Sequence, residues 1–285
     1  VSPKSSHFIF YNKDFLLGKS SESSDKFDVL LFARPDIEEA VIPPQVTRIK
    51  ACSFGPHDEL KTVRFSINSE LKRIEDAAFS YSRIESLSLP ASLEQIGDGC
   101  FAGTRNLRKV EISPENKFLK MMNGKCVVRE SSRGSGVFDV IVLAARGIAS
   151  ISIPPRIKVI NDSAFEYCER LETVTFESNS SLVSIKQRAF SCISGPERLV
   201  LPPSLKEADF SSFFYTRNTK SIEFLGKSVK IGLCCFSSCD NLSTVTFPNS
   251  DAISFGYGAM SDTPEDLEIH VWHQNGRHST ASSMT

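Results

Sequence analysis

The chain has 285 residues, which is enough for one or two ordinary domains unless the sequence is a repeat array. Its 33 lysines and arginines stand against 34 aspartates and glutamates, so the formal net charge of −1 gives no global field that would attract nucleic acid or an anionic membrane. The most apolar stretch, residues 137–155, contains Asp139 and Arg146 and ends in two prolines, which argues against a membrane-spanning helix there.

The first predicted unit covers about residues 8–42. Its sequence, FIFYNKDFLLGKSSESSDKFDVLLFA from Phe8, is related to FLKMMNGKCVVRESSRGSGVFDVIVLA from Phe118, and residues 27–46 align with residues 138–157 at an offset of 111. In the second copy, Asn123-Gly124 separates two apolar-polar runs, which is a strong signal for a two-residue hairpin turn. We therefore predict a small antiparallel meander in each copy, at about residues 8–42 and 118–153.

Regular repeats follow each meander, over residues 46–112 and 157–272. A phenylalanine recurs with a small residue directly before it and, in six of the eight repeats, an isoleucine five positions before it. This pattern predicts a short helical or 3₁₀ turn that packs the ring inward. The anchors are Phe54, Phe79, Phe101, Phe165, Phe190, Phe213 and Phe236, with Met260 in the same position at the end.

Each anchor is followed by two apolar residues spaced two apart, as in Val63 and Phe65 or Val174 and Phe176. This spacing places both side chains on one face of a β-strand. The residue between them then points outward, so each repeat contributes one outward position on a strand.

The units LKRIEDAAFSYSRIESLSLP, LEQIGDGCFAGTRNLRKVEI and IKVINDSAFEYCERLETVTF resemble the BspA-like leucine-rich repeat family, also called the Treponema pallidum type. The resemblance covers roughly residues 8–272. It implies an α/β fold, a single leucine-rich repeat solenoid over residues 1–272 with a tail at 273–285. In this solenoid, a curved right-handed superhelix carries a parallel sheet on its concave face and short helical or 3₁₀ turns on its convex face.

The residues that could carry catalysis or bind metal have simpler interpretations. The eight cysteines fall where sister repeats have small residues, which favours free thiols that act as small buried hydrophobes over a disulfide framework. His270, His273 and His278 could form a surface metal clip, but His270 falls on an outward strand position, where a solvated edge is the simpler interpretation. Neither GKS triplet has the glycine that a phosphate-binding loop requires. We expect no catalytic residue, no metal and no cofactor.

The outward strand positions form two columns in which small hydroxyl side chains dominate and charges are sparse and mixed. Stacked strands lie about 4.8 Å apart, so these columns should form one continuous flat surface. It is either a contact surface for a protein or glycan, or simply a solvated sheet for which serine and threonine are well suited. The candidate contact residues are Arg64, Ser88, Lys109, Glu111, Ser152, Thr173, Thr175, Arg198, Glu223 and Thr246.

The predicted function is a non-enzymatic recognition module that binds a protein or glycan along its concave strand face. We expect no nucleic-acid partner and no membrane insertion within the chain. Resemblance to adhesin-like family members implies a cell-surface or secreted location, with a cytoplasmic one left open. The alternative is a structural spacer, or an intracellular scaffold segment of a larger repeat protein. On the convex side, Glu166 and Glu169 are expected to be exposed.

Overall fold

A computed structural model describes residues 6–248, 253–272 and the backbone of residues 278–282. The chain divides into two compact units, Val1–Arg129 (unit 1) and Glu130–Thr285 (unit 2). Each unit is built from β-strands and turns, and each is treated separately below. The prediction of one solenoid over residues 1–272, with two meander units and a tail, stays a prediction.

Unit 1 contains two sheets. One has the order β1-β2-β3-β5-β7-β9, in which β1, β2 and β3 pair antiparallel and the rest pair parallel; the other is parallel, with the order β10-β8-β6-β4. Strands β11 and β12 form an antiparallel hairpin. The strands are β1 (Phe8–Tyr11), β2 (Phe15–Gly18), β3 (Val29–Ala33), β4 (Glu39–Ile42), β5 (Arg48–Ile49), β6 (Thr62–Phe65), β7 (Arg73–Ile74), β8 (Ser86–Leu89), β9 (Gln95–Ile96), β10 (Lys109–Ile112), β11 (Leu119–Met122) and β12 (Cys126–Glu130).

Unit 2 follows the same plan. One sheet runs β13-β15-β17-β19-β21-β23, while the long strands form the pair β14-β16 and the sheet β18-β20-β22-β24-β25, where β25 is antiparallel to β24. The strands are β13 (Phe138–Ala144), β14 (Ser150–Ile153), β15 (Val159–Ile160), β16 (Thr173–Phe176), β17 (Ser184–Ile185), β18 (Arg198–Leu201), β19 (Glu207–Ala208), β20 (Ser221–Phe224), β21 (Val229–Ile231), β22 (Thr244–Phe247), β23 (Ile253–Phe255), β24 (Glu268–Trp272) and β25 (His278–Ser282).

The anchor side chains form the core of each unit, as the repeat pattern predicts. In unit 1, the Phe79 ring stacks on Phe54 with ring centroids 4.6 Å apart and on Phe101 at 5.5 Å. In unit 2, Phe165 stacks on Phe190 at 4.8 Å, and the stack continues through Phe213 and Phe236. All seven phenylalanines and Met260 are buried. Because each ring packs on the ring of the next repeat, the repeats stabilise one another in one dimension.

The prediction of helical turns around the anchors is wrong. The described residues contain no helix, and the isoleucine five positions before most anchors ends a short strand that the sequence analysis did not predict. Except at Pro56 after the first anchor, the residues two before and two after an anchor take positive φ angles, as at Ala77 (52°) and Tyr81 (57°) around Phe79. A left-handed residue stops an α-helix. The backbone amides bond to the next repeat instead, as when the Phe79 amide donates to the Cys100 carbonyl at 2.9 Å.

The predicted hairpin at Asn123-Gly124 is confirmed, with three residues between the paired strand ends instead of the predicted two. Strands β11 and β12 pair with Met122 opposite Cys126, and the two turn residues have φ angles of 53° and 65°. Positive φ at both central positions defines the type I′ turn, which matches the twist of the strands it joins. The antiparallel part of the first meander ends at β3, because β4 joins the parallel sheet next to β6.

Candidate functional site

In each unit, the outward side chains of the long strands form a surface that we call the strand face of that unit. It belongs to β4, β6, β8 and β10 in unit 1 and to β14, β16, β18, β20, β22 and β24 in unit 2. All ten candidate contact residues lie on it, each exposed or half-buried, while neighbours such as Val63, Leu87 and Val174 point inward and are buried. Alternation along each strand therefore places each candidate residue on the outward side of its own sheet.

In unit 1 the charges of the strand face neutralise one another. Arg64 Nε lies 2.5 Å from a carboxylate oxygen of Glu39, and Lys109 Nζ lies 2.9 Å from Glu111 Oε1. Ser88, directly opposite Glu111 on the neighbouring strand, donates its hydroxyl to that carboxylate at 3.2 Å. Lys109, followed by the Ser88 hydroxyl, lowers the pKa of Glu111 from its ordinary value. This part of the face therefore carries paired charges and no net field.

In unit 2 the strand face has the same character. Ser152 lies opposite Thr175, and its hydroxyl donates to Glu177 Oε1 at 3.0 Å. Arg198 pairs with Glu223, which lies opposite Thr246 on β22. The columns are not one continuous ladder, however, because the pair β14-β16 and the sheet that starts at β18 are separate. Strands β16 and β18 still lie against each other, so the hydrogen-bonded ladder is interrupted there while the predicted continuous flat surface stays a prediction.

The sequence analysis missed two of the acidic partners of these residues, Glu39 and Glu177. Glu39 is the first residue of β4, in register with Thr62, and Glu177 directly follows β16. The repeat alignment could have revealed Glu39, since it occupies the same strand position as Thr62. Glu177 could not be found in this way, because its carboxylate reaches sideways to the strand of a neighbouring repeat.

The expected exposed pair on the turn side is only half correct. Glu169 is exposed, but Glu166 is 2% exposed. Glu166 directly follows the buried anchor Phe165, and it lies in the tight turn that contains the left-handed residue Tyr167. The absence of a helix therefore changes which residues of the turn face solvent.

The cysteines support the interpretation as small hydrophobes in six of eight cases, with Cys52 exposed and Cys234 half-buried. Burial raises the pKa of Cys235 to about 12, and its sulfur lies 3.2 Å from the Ser212 hydroxyl. A thiol with so high a pKa stays protonated and unreactive at neutral pH.

The part of the chain that the structure describes contains neither a group of metal-ligating side chains nor a membrane-spanning helix. There, no three histidine, cysteine, aspartate or glutamate side chains are grouped to hold a metal ion. His270 Nε2 lies 2.9 Å from Glu268, and His273 falls outside the described residues. Over the same residues, no helix has the length and apolarity that crossing a bilayer requires.

Solved structures with this architecture come from bacterial proteins. The pneumococcal vaccine antigen PcpA matches with a TM-score of 0.67 and 19% identity over 84% of this chain and 64% of its own. A leucine-rich repeat protein of Eubacterium ventriosum matches with a TM-score of 0.65 and 17% identity, covering 82% and 66%. A leucine rich cell surface protein of Faecalibacterium prausnitzii matches with a TM-score of 0.56 and 19% identity over 75% of this chain and 54% of its own. At these identities, the likeness establishes the fold alone.

The chain spans less than two thirds of the length of each of these proteins, since the coverage of their chains is 64%, 66% and 54%. A search of curated protein sequences found no match. The model of the BspA type leucine rich repeat region matches in six copies, over residues 26–127 and 143–264. Those ranges include most of the parallel rungs and all seven anchor phenylalanines. The chain therefore belongs to the BspA type leucine rich repeat family.

Proposed function

We propose that this protein is a non-enzymatic recognition module that binds a protein or glycan partner along its strand face. The observation that carries the proposal is the pairing of the charges on that face: Arg64 with Glu39, Lys109 with Glu111 and Arg198 with Glu223. Hydroxyl groups make up most of the remaining outward positions, with the apolar Val41 and Val200 among them. Such a surface suits a partner held by many short polar contacts rather than by a strong charge.

A location on the cell surface or outside the cell is part of the same proposal. Its support is the fold shared with a vaccine antigen and with a cell surface protein, together with membership of the family. Repeat arrays offer extended surfaces for partners, and no element of the strand face is suited to chemistry on a substrate. The competing role is that of a structural spacer or an intracellular scaffold segment.

The test is a binding screen of the folded chain against immobilised glycans and extracellular proteins. Thr173→Arg with Thr175→Arg adds two large cations to the strand face and should abolish binding of any partner found. The matched control is Gln187→Arg with Leu233→Arg, which adds the same charge at two exposed turn positions. Both double variants should keep the unfolding free energy within about 0.5 kcal/mol of the parent.

Two outcomes would contradict the proposal. One is a partner that the strand-face variant still binds while the turn variant does not, which would move the contact surface to the turns. The other is a screen without any partner, which would favour the spacer role.

A further inference from the structure

Unit 2 has an open polar groove of about 490 Å³ beside its long strands. Its lining residues come from two positions of the repeat, the residue directly before a long strand and the residue three before it. Sequence reasoning followed only the strand positions and so missed this set. The lining residues are Glu172, Gly195, Glu197, Asn218, Lys220 and Asn241.

The groove extends across four rungs, from β16 to β22. Parallel strands lie about 4.8 Å apart, so the lining groups are distributed over roughly 14 Å. It begins at the interruption between β16 and β18, where the hydrogen-bonded ladder of the strand face is broken. Its length suits an extended ligand rather than a compact one.

Gly195 lets the floor of the groove pack closely against the buried Thr219 side chain. Its φ angle is 79°, and a Cβ atom added there would lie 2.4 Å from the Thr219 hydroxyl oxygen. The Thr219 side chain is 1% exposed, and its hydroxyl has no hydrogen-bond partner within the described residues. A buried hydroxyl without a partner is costly, so the packing of Thr219 behind Gly195 does not maximise stability.

The polar groups of the groove keep hydrogen-bonding capacity. The Glu172 carboxylate and the Asn218 amide make no side-chain hydrogen bond or ion pair in the described ranges. The Asn241 amide donates to the Arg217 carbonyl at 2.6 Å, which leaves its oxygen as an acceptor. Lys220 pairs with Glu197 at 2.6 Å, so those two charges cancel. The groove therefore offers acceptors and one donor-acceptor amide, with a single uncompensated negative charge at Glu172.

These features match a hydroxyl-bearing ligand best. Sugar hydroxyls both donate and accept hydrogen bonds. They can therefore donate to a carboxylate and exchange hydrogen bonds in both directions with a side-chain amide. An extended peptide is commonly bound through apolar side-chain pockets or a cluster of arginines, and the five side chains and one glycine that line the groove supply neither. An anionic glycan would meet the Glu172 carboxylate without a free cation to compensate.

We propose that the groove lined by Glu172, Asn218 and Asn241 binds a neutral oligosaccharide that lies across the rungs of unit 2. The site is separate from the strand face and does not depend on a partner there. The proposal gives a ligand class to the groove residues that precede the long strands.

The experiment is isothermal titration calorimetry of the full chain with soluble linear oligosaccharides of mannose, glucose and N-acetylglucosamine. At least one should bind, and Glu172→Gln with Asn218→Ala should weaken that binding about tenfold or more, since each lost hydrogen bond contributes of the order of a factor of ten. The matched control is Glu85→Gln with Asn106→Ala. Those residues are exposed at the same two repeat positions of unit 1.

Several results would overturn the inference. They are the absence of binding by every neutral oligosaccharide, equal losses in the groove and control variants, and a groove variant that loses heparin or a protein partner but no neutral oligosaccharide. Thr173→Arg with Thr175→Arg separates the two proposals. If it abolishes oligosaccharide binding and the groove variant does not, the strand face is the site and the groove is not. The reverse result supports the groove and contradicts the strand face as the oligosaccharide site.

Discussion

The hairpins β1–β2 and β11–β12 both lie in unit 1 and repeat each other at an offset of 111 residues. Phe8 pairs with Gly18 as Leu119 pairs with Arg129, and an asparagine begins both turns. Their surroundings differ. Phe8 is 42% exposed and Phe10 is 59% exposed, whereas Leu119 is 1% exposed. Equal strand pairing thus leads to opposite exposure.

The difference in exposure between the two hairpins has a structural cause in the surroundings of the second one. Strand β11 contacts the preceding rung at β10. Asn116 donates its amide to the Pro90 carbonyl at 2.8 Å and the Leu93 carbonyl at 2.9 Å, and its oxygen accepts from the Leu119 amide at 2.8 Å. Pairing within a hairpin is thus a local property, while burial of its outer face depends on the neighbouring rung. The following changes test that distinction.

The largest effect should come from the buried face. Leu119→Ala removes a fully packed side chain and should lower the unfolding free energy by about 2 to 5 kcal/mol. Phe8→Ala, at the equivalent position, should change it by less than about 1 kcal/mol, because much of the ring is already in water. Urea melts of both variants measure the difference. Equal losses would show that the two hairpins do not differ in packing.

Asn116→Ala should have the next largest effect and lower the unfolding free energy by about 2 to 4 kcal/mol, because it leaves carbonyl and amide groups near the rung without partners. Asn116→Asp keeps the acceptor for the Leu119 amide and loses both donated bonds, so it separates the two halves of the clamp. Thermal melts and amide exchange of Leu119 measure the effect. Unchanged exchange in the alanine variant would remove Asn116 from the explanation.

Asp28 and Asp139 form a second pair at the same offset of 111 residues, and both should stabilise the protein in the same pH-dependent way. Burial alone would raise the pKa of Asp139, but hydrogen bonds from Ser131 and the Lys158 ammonium outweigh it and lower that pKa. Burial acts in the same direction on Asp28, and hydrogen bonds from Ser20 and Thr47 lower its pKa as well.

Because both pKa values lie below the unfolded value of about 3.9, the stabilisation is complete above that pH and is lost as pH falls through the folded pKa. Asp28→Asn and Asp139→Asn should each lower the unfolding free energy by about 1.5 to 3 kcal/mol at pH 7. The difference from the parent protein should shrink below about pH 4. Urea melts between pH 7 and pH 3 provide the measurement, and a difference that grows on acidification would reverse the assigned sign.

The smallest effect should come from the turns. Lys13 has a φ angle of 63° where the second hairpin has Gly124 at 65°. A residue with a side chain loses roughly 1 to 2 kcal/mol of stability in that conformation, whereas glycine loses more backbone entropy on folding. Lys13→Gly should therefore raise the unfolding free energy by about 0.5 kcal/mol, and Gly124→Lys should lower it by about 1 kcal/mol. Thermal melts of the two single variants are sufficient. The same sign for both would contradict the shared turn geometry.

Much of the fold could be predicted from local patterns. The anchor pattern predicted the buried rings, and Asn123-Gly124 predicted its hairpin, because both depend on residues close in sequence. The helical turn was wrong because its small-Phe pattern suits several turn types, and the positive φ angles at Ala77 and Tyr81 are stabilised by bonds to the next repeat. For the strand face, sequence predicted the outward direction of Ser88 and Thr175 but not the acidic side chains that pair with their neighbours.

What the sequence determined by itself is the repeat register: which residues point inward and outward, and where the chain turns back. The spacing of two and the asparagine-containing turns act over a few residues, so they can be interpreted without a partner. Only the tertiary structure decided that Glu166 is buried, that Phe10 is exposed while Leu119 is not, and that Glu172 and Asn218 line one groove. Those properties depend on the stacking of repeats that lie more than twenty residues apart in sequence.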